Sequence, residues 1–164
     1  MSRGVLSLVT ILFCQDIQAA ERFVGKAVFV TDGDTLWVEP DAGGPARKLR
    51  IDGIDAPEIC QPGGLAARSA LAGQVLHQTV RVQVKRLDDY GRGLARITVN
   101  DRDVGAYLVR SGQAWSYRWR RSSGPYSAEE TAARQSGAGL FEVGQPELPR
   151  EFRKRHGSCP TPKN

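Results

Sequence analysis

From Phe23 to Val99 the chain alternates apolar and polar positions in short runs separated by turn residues, the period-two pattern of strands with one buried face. Phe23 to Thr31 places Phe23, Val24, Ala27, Val28, Phe29 and Val30 in one run that stops at the Asp32-Gly33 turn, and Leu36 to Glu39 resumes it. Pro40-Asp41-Ala42-Gly43-Gly44-Pro45 is a dense turn signal, after which Ala46 to Ile54 reads as a third strand. In Val80 to Leu87, Val80, Val82 and Val84 alternate with Arg81, Gln83 and Lys85, and Gly93 to Val99 follows as a fifth strand. The period changes elsewhere. Gly64 to Gln78 sets Ala67, Leu71 and Val75 four apart, Val104 to Ser111 ends at Gly112, and Ser127-Ala128-Glu129-Glu130 has the spacing of a capping box opening a helix to Gly137. The pattern predicts an α+β, mainly β chain of five short strands and three helices. Beyond Phe141, Pro146, Pro149, Pro160 and Pro162 surround the basic run Arg150 to His156, which reads as an irregular tail.

A length of 164 residues suits one domain with a tail, here drawn as residues 21–143 and 144–164. Residues 1–20 stand apart: Arg3 precedes a mostly apolar stretch from Val5 to Cys14, and Ala19-Ala20 supplies small residues suited to signal-peptidase cleavage. The stretch is too short for a permanent membrane span. A buried first strand or helix would not need to stop at a small-residue pair, and bulky Phe13 argues against a lipid anchor on Cys14. The expectation is therefore an exported protein, periplasmic or secreted, with no stable membrane anchor.

Export changes two readings. Residues 1–20 contain Arg3 and Asp16, which cancel, so the mature chain keeps the balance of 23 basic and 18 acidic residues, a net +5 that suits a polyanionic partner. Loss of Cys14 leaves Cys60 and Cys159, an even pair bound for an oxidising compartment, and a disulfide between them is expected.

The candidate chemistry lies in three segments: Asp32-Gly33-Asp34-Thr35, Arg50-Ile51-Asp52-Gly53-Ile54-Asp55-Ala56-Pro57-Glu58, and Asp88-Asp89-Tyr90-Gly91-Arg92. Carboxylates that can share a hard divalent cation, beside two guanidinium groups that can grip a phosphate, are what cleavage of a phosphodiester backbone requires. Taken singly, Asp-Gly-Asp is a hairpin turn and an arginine on a strand is a solvated face; the ordered set is more specific. Pro57 restrains Ala56 to extended geometry, so the chain leaves the third strand there and presents Asp55 and Glu58 at its exit.

In order and spacing, Asp-Gly-Asp-Thr, Arg-x4-Asp-x2-Glu and Asp-x-Tyr-Gly-Arg resemble the staphylococcal nuclease (thermonuclease) family, over about Phe23 to Phe141. The resemblance implies a five-stranded OB barrel with three helices and calcium-dependent cleavage of DNA and RNA with little sugar specificity. It implies that Asp34 and Asp55 bind Ca2+ with the carbonyl of Ala56, that Glu58 is the general base, and that Arg50 and Arg92 bind the phosphate and the charge that develops on it. Tyr90 matches an aromatic near the bound nucleotide, Asp88 a structural acid, and Asp89 stands where the best-known member carries a lysine that helps hold a terminal phosphate. Gly105 stands where many relatives carry an asparagine that braces a turn.

Trp115, Tyr117 and Trp119, interleaved with Arg118, Arg120 and Arg121, suit either base stacking or alternate core packing, with Tyr117 and Trp119 the candidates for substrate contact. His77 and His156 are lone histidines with no metal pattern. The expected partners are single-stranded DNA and RNA, with stable duplex cut more slowly, acted on by a monomer. The competing class is an OB module that binds nucleic acid and has lost catalysis; the survival of Asp34, Arg50, Asp55, Glu58 and Arg92 favours the enzyme.

Overall fold

The structure is a computed structural model that describes residues 21–118, 122–142, 144–157 and 159–160; the expected leader over residues 1–20 lies outside them. The chain runs through β1 (Glu21–Val30), β2 (Thr35–Pro40), β3 (Arg47–Ile51) and β4 (Ile54–Asp55), then helix α1 (Gly64–Val75), β5 (Thr79–Leu87), β6 (Gly93–Val99) and β7 (Arg102–Asp103). Helix α2 (Val104–Arg110), β8 (Trp115–Ser116), α3 (Ser127–Ser136), a single 3-10 turn at Gly139–Phe141 and α4 (Pro149–His156) complete it.

Five of the strands close a barrel. The long β1 pairs antiparallel with β2 through its second half and with β5 through its first, and a bulge between Ala27 and Phe29 bends it between the two. β2 pairs with β3, β5 with β6, and the parallel register Leu49↔Gly93 to Ile51↔Ala95 joins β3 to β6 and removes the open edge. The five strands are those that the alternation predicts, and their closure is the OB barrel that the resemblance implies. Alternate residues point inward, so Ala27, Leu36, Val38, Leu49, Ile51, Val80, Val82, Ala95 and Ile97 are buried, and α1 plugs one end of the barrel with Ala67, Leu71 and Val75. Each of the valine, leucine and isoleucine side chains among them contributes roughly 1.5–3 kcal/mol by leaving water, and α1, with no charged cap at its start, depends on that packing.

Three expectations change. The third apolar run, Ala46 to Ile54, is cut at Asp52-Gly53: Gly53 takes a positive φ of 82° and lies against Pro125, so β4 turns away from β3 and pairs with β8 instead. The capping-box glutamate does not cap. Glu130 is buried, where it accepts from the Ser116 amide at 3.0 Å, Arg118 Nη2 at 2.8 Å and Arg134 Nε at 2.9 Å, fixing β8 onto α3. Finally, the tail is not irregular throughout: Pro149 starts a fourth helix, α4, at a position where its missing N–H is not required, Phe152 is buried, and the basic residues Arg153 to His156 fall in the last turn, where the helix dipole favours them. Leu148 and Phe152, four apart, were the signal beneath the proline-rich composition.

Gly105 has a specific use here. It lies inside α2, and a side chain at that position would collide with the Tyr126 hydroxyl, which donates to the Asp103 carboxylate that caps α2 through the Ala106 amide. Among the described residues no helix is long and apolar enough to cross a membrane.

Cys60 and Cys159 are disulfide-bonded, with Cα atoms 5.8 Å apart and a sequence separation of 99. The bond ties the end of the chain to the turn before α1. A non-reducing digest should give one linked peptide holding both cysteines, and reduction should lower the unfolding free energy by up to about 4–5 kcal/mol, read as a reduced urea midpoint. Gly33 sets a second close contact, because a Cβ there would lie 2.7 Å from the Cβ atoms of both Ala56 and Ala67. Gly33→Ala should therefore cost about 1–3 kcal/mol in the same urea titration by forcing the Asp32–Thr35 loop off α1.

Candidate functional site

The β1–β2 turn, the exit of β3 and the β5–β6 turn line one groove of about 590 Å3 on the outside of the barrel. The first of these segments is held by backbone bonds. The Thr31 amide donates to the Thr35 carbonyl at 2.9 Å, the Asp34 amide to Asp32 Oδ1 at 3.1 Å, and the Ile51 amide to the Asp34 carbonyl at 2.8 Å. Asp34 is 4% exposed, and its carboxylate accepts from Thr35 Oγ1 at 2.9 Å and from the Ala56 amide at 3.4 Å. The close approach at Gly33 makes this contact with Ala56 geometrically available.

Asp55, 7% exposed, reaches the same point because the Asp52-Gly53 break sends β4 across the mouth of the barrel. Arg50, on β3, supplies the cation between the two acids: its Nη2 lies 2.9 Å from Asp34 Oδ2 and 3.0 Å from Asp55 Oδ1. Electrostatics follow from this crowding. Burial and then the charge of Asp34 push Asp55 above the usual carboxylate range, against the pull of Arg50, and the same two causes push Asp32 up to about 7. Burial works against the charge on Arg50, but Asp34 and Asp55 more than offset it and hold its pKa above the ordinary arginine value.

One nitrogen within 3.0 Å of an oxygen from each acid means that these oxygens converge on a single cationic position, and the donors there are all hard oxygens. Among the described residues no group of three or more His, Cys, Asp or Glu side chains is spaced to hold an ion. A cation at this position would thus draw on two carboxylates and fill its shell with backbone and water oxygens, which fits calcium better than zinc.

Arg92, just before β6 and so next to β3 in the barrel, also lines the groove and is oriented by Asp88. The Asp88 carboxylate accepts from the Arg92 amide at 2.9 Å, from Arg92 Nε at 2.7 Å and from the Tyr90 amide at 3.0 Å. Burial raises the Asp88 pKa, and these bonds outweigh it and hold the group below the usual range. The Arg92 guanidinium lies 5.3 Å from the Tyr90 ring centroid, and that ring is 85% exposed at the rim. Tyr117, 41% exposed, lines the groove from the residue after β8. Trp115 takes the packing alternative, buried with its ring edge-on to Phe141 at 6.2 Å; Trp119 lies outside the described residues.

Glu58 sits on the turn after β4, where the Gln61 side chain accepts from its amide at 3.1 Å. Gly64 permits this turn to lie against the start of α1, since a Cβ there would be 2.0 Å from the Glu58 carbonyl oxygen. Its partner comes from the far end of the chain: Arg153 Nη1, on α4, is 2.6 Å from Glu58 Oε1 and 3.7 Å from Asp55 Oδ1. Asp34, Arg50 and Asp55 are thus in contact, Glu58 joins them through Arg153, and Arg92, Tyr90 and Tyr117 line the same groove, Tyr117 from beside β4, where its amide donates to the Gly53 carbonyl at 2.8 Å. Arg153 was not legible as a site residue, because its only local signal was membership of a basic run.

Comparison with known proteins identifies the family. The family described as Staphylococcal nuclease homologue matches residues 48–142. The chain is 37% identical over 152 residues to Protein ParB of Escherichia coli, covering 86% of this chain and 84% of that protein. It is 29% identical over 163 residues to the Micrococcal nuclease of Shigella flexneri, covering 93% and 91%. Against Staphylococcal-like nuclease CAN1 of Arabidopsis thaliana it is 34% identical over 107 residues, 65% of this chain but only 33% of that longer protein. With its barrel closed in OB order and matched through the segments that carry Arg50, Asp55, Glu58 and Arg92, the chain belongs to the staphylococcal nuclease homologue family.

Proposed function

We propose that this protein is an exported, calcium-dependent nuclease that hydrolyses phosphodiester bonds in DNA and RNA with little sugar specificity. The observation that carries the reading is the convergence of Asp34 and Asp55 on one cationic position, with Glu58 and Arg92 lining the same groove. Relatives named as nucleases support it. Export is supported by the apolar segment before residue 20 and by the Cys60–Cys159 disulfide.

Asp34, Asp55 and the carbonyl of Ala56 would hold calcium, which when bound polarises a phosphate oxygen and makes a water easier to deprotonate. Glu58 orients the attacking water and accepts its proton as the water oxygen bonds to phosphorus. One ester P–O bond breaks, and the leaving oxygen takes a proton from solvent. Arg92 donates to the phosphate oxygens on which charge gathers; Arg50 does the same once its hold on the two aspartates is relaxed. Tyr90 and Tyr117 offer faces on which unpaired bases stack. A groove that follows an exposed backbone suits single strands acted on by a monomeric enzyme.

Purified mature protein should cut single-stranded DNA and RNA in calcium, cut poorly in magnesium and cease cutting in excess chelator; full activity in chelator refutes the metal assignment. Stable duplex should be cut more slowly than single strands at equal nucleotide concentration. Arg92→Ala should remain folded, bind single-stranded DNA within about tenfold of the parent affinity and lose roughly 100- to 1,000-fold in turnover, because its bonds strengthen as charge develops. Parental turnover in that variant removes Arg92 from the mechanism.

A further inference from the structure

The turn that carries Glu58 is tied to the C-terminal helix by three separate contacts. Gln61, buried at 6% exposure, donates from Nε2 to the Glu147 carbonyl at 2.7 Å just before α4; Cys60 is disulfide-bonded to Cys159 just after it; and Arg153 within the helix reaches Glu58 Oε1 at 2.6 Å. Gln61 also accepts from the Glu58 amide, so the residue that anchors the helix is the one that shapes the turn. On its inner side the helix is seated by buried Pro149 and Phe152, and Leu148 packs against Trp115, Ala133 and Phe141. Residues nearly a hundred positions apart are thereby held in one unit around a single carboxylate.

We propose that Arg153 is a positioning residue for Glu58. Glu58 lies on a turn, 23% exposed in its side chain, and the bond from Arg153 engages Oε1 while the hydrogen bonds among the described residues leave Oε2 unengaged. A carboxylate with one oxygen fixed by a guanidinium presents the other in a defined direction, which is what orienting a water requires. Arg153 Nη1 lies 2.6 Å from Glu58 Oε1 but 3.7 Å from Asp55 Oδ1, the oxygen that Arg50 holds at 3.0 Å, so its close partner is Glu58. Its placement depends on α4, and that of α4 on the disulfide, Gln61 and Leu148.

This inference rests on Glu58 being the group that orients water, and the test separates the two. Full-length mature protein is assayed on single-stranded DNA in calcium as the parent, Arg153→Ala, Arg153→Lys, Glu58→Gln and the Arg153→Ala, Glu58→Gln double variant, with thermal unfolding confirming that each is folded. Arg153→Ala should lower kcat roughly 10- to 100-fold with KM within about threefold, and Arg153→Lys should recover part of the loss. In the Glu58→Gln background the same alanine substitution should change kcat by less than about threefold, because the group it acts through is already disabled. An unchanged or raised kcat in Arg153→Ala overturns the proposal, the raised value marking Arg153 as a plug. Equal losses in the two backgrounds also overturn it, placing Arg153 on the substrate instead. Parental kcat in Glu58→Gln alone overturns both this inference and the role given to Glu58.

Discussion

Two carboxylates below the protein surface, each within 3.0 Å of the same guanidinium nitrogen, are the constraint around which the rest of the site is arranged. Asp34 and Asp55 are both buried and close together, an arrangement of two acids that a shared cation stabilises. Arg50 is that cation in the structure described, and removing one member of such a buried set typically costs about 3–5 kcal/mol. Arg50 can stand there because β3 is paired on both sides, with β2 and through barrel closure with β6. The barrel's closing seam is therefore also the strand that neutralises the site.

The same economy of backbone governs how the acids arrive. A glycine at position 33 lets the aspartate loop touch Ala56 and α1, and a glycine at 53 breaks the third strand so that Asp55 crosses the barrel mouth. β4 then needs a partner for its backbone groups and finds β8, which Glu130 holds to α3 through the Ser116 amide. The elements outside the barrel thus have a positional role: α3 and β8 set the height of Asp55, and α4 sets the direction of Glu58. The two arginines with carboxylate escorts, Arg92 with Asp88 and Arg153 with Glu58, differ in consequence. The first pair leaves the guanidinium oriented toward the groove, and the second leaves the carboxylate oriented.

Much of this was legible along the chain, and its limits are instructive. The alternation of Val80, Val82 and Val84 and the turn at Asp32-Gly33 located strands to within a residue or two, because a barrel strand buries every second side chain and needs no distant information to do so. The carboxylates and arginines were legible because three short motifs occur in order. Composition misled in the tail, where four prolines concealed a helix seated by buried Pro149 and Phe152 and by half-buried Leu148 just before it. The capping-box spacing at Ser127 misled for the opposite reason: a local pattern was present, but the buried amide of Ser116 and two arginines competed for Glu130 and won.

By itself the sequence determined the fold class, the five barrel strands, the identity of the acids and arginines, and the cysteine pair, all of which follow from periodicity, motif order or counting. Only the tertiary structure decided which of those groups share a charge. Arg50 lies between Asp34 and Asp55, Trp115 turns inward while Tyr117 faces the groove, and Arg153 crosses to Glu58 from 95 residues away. Periodicity reports whether a side chain faces the core or the solvent, but a contact between charges depends on where barrel closure and helix docking bring separate segments, and no local pattern encodes that distance.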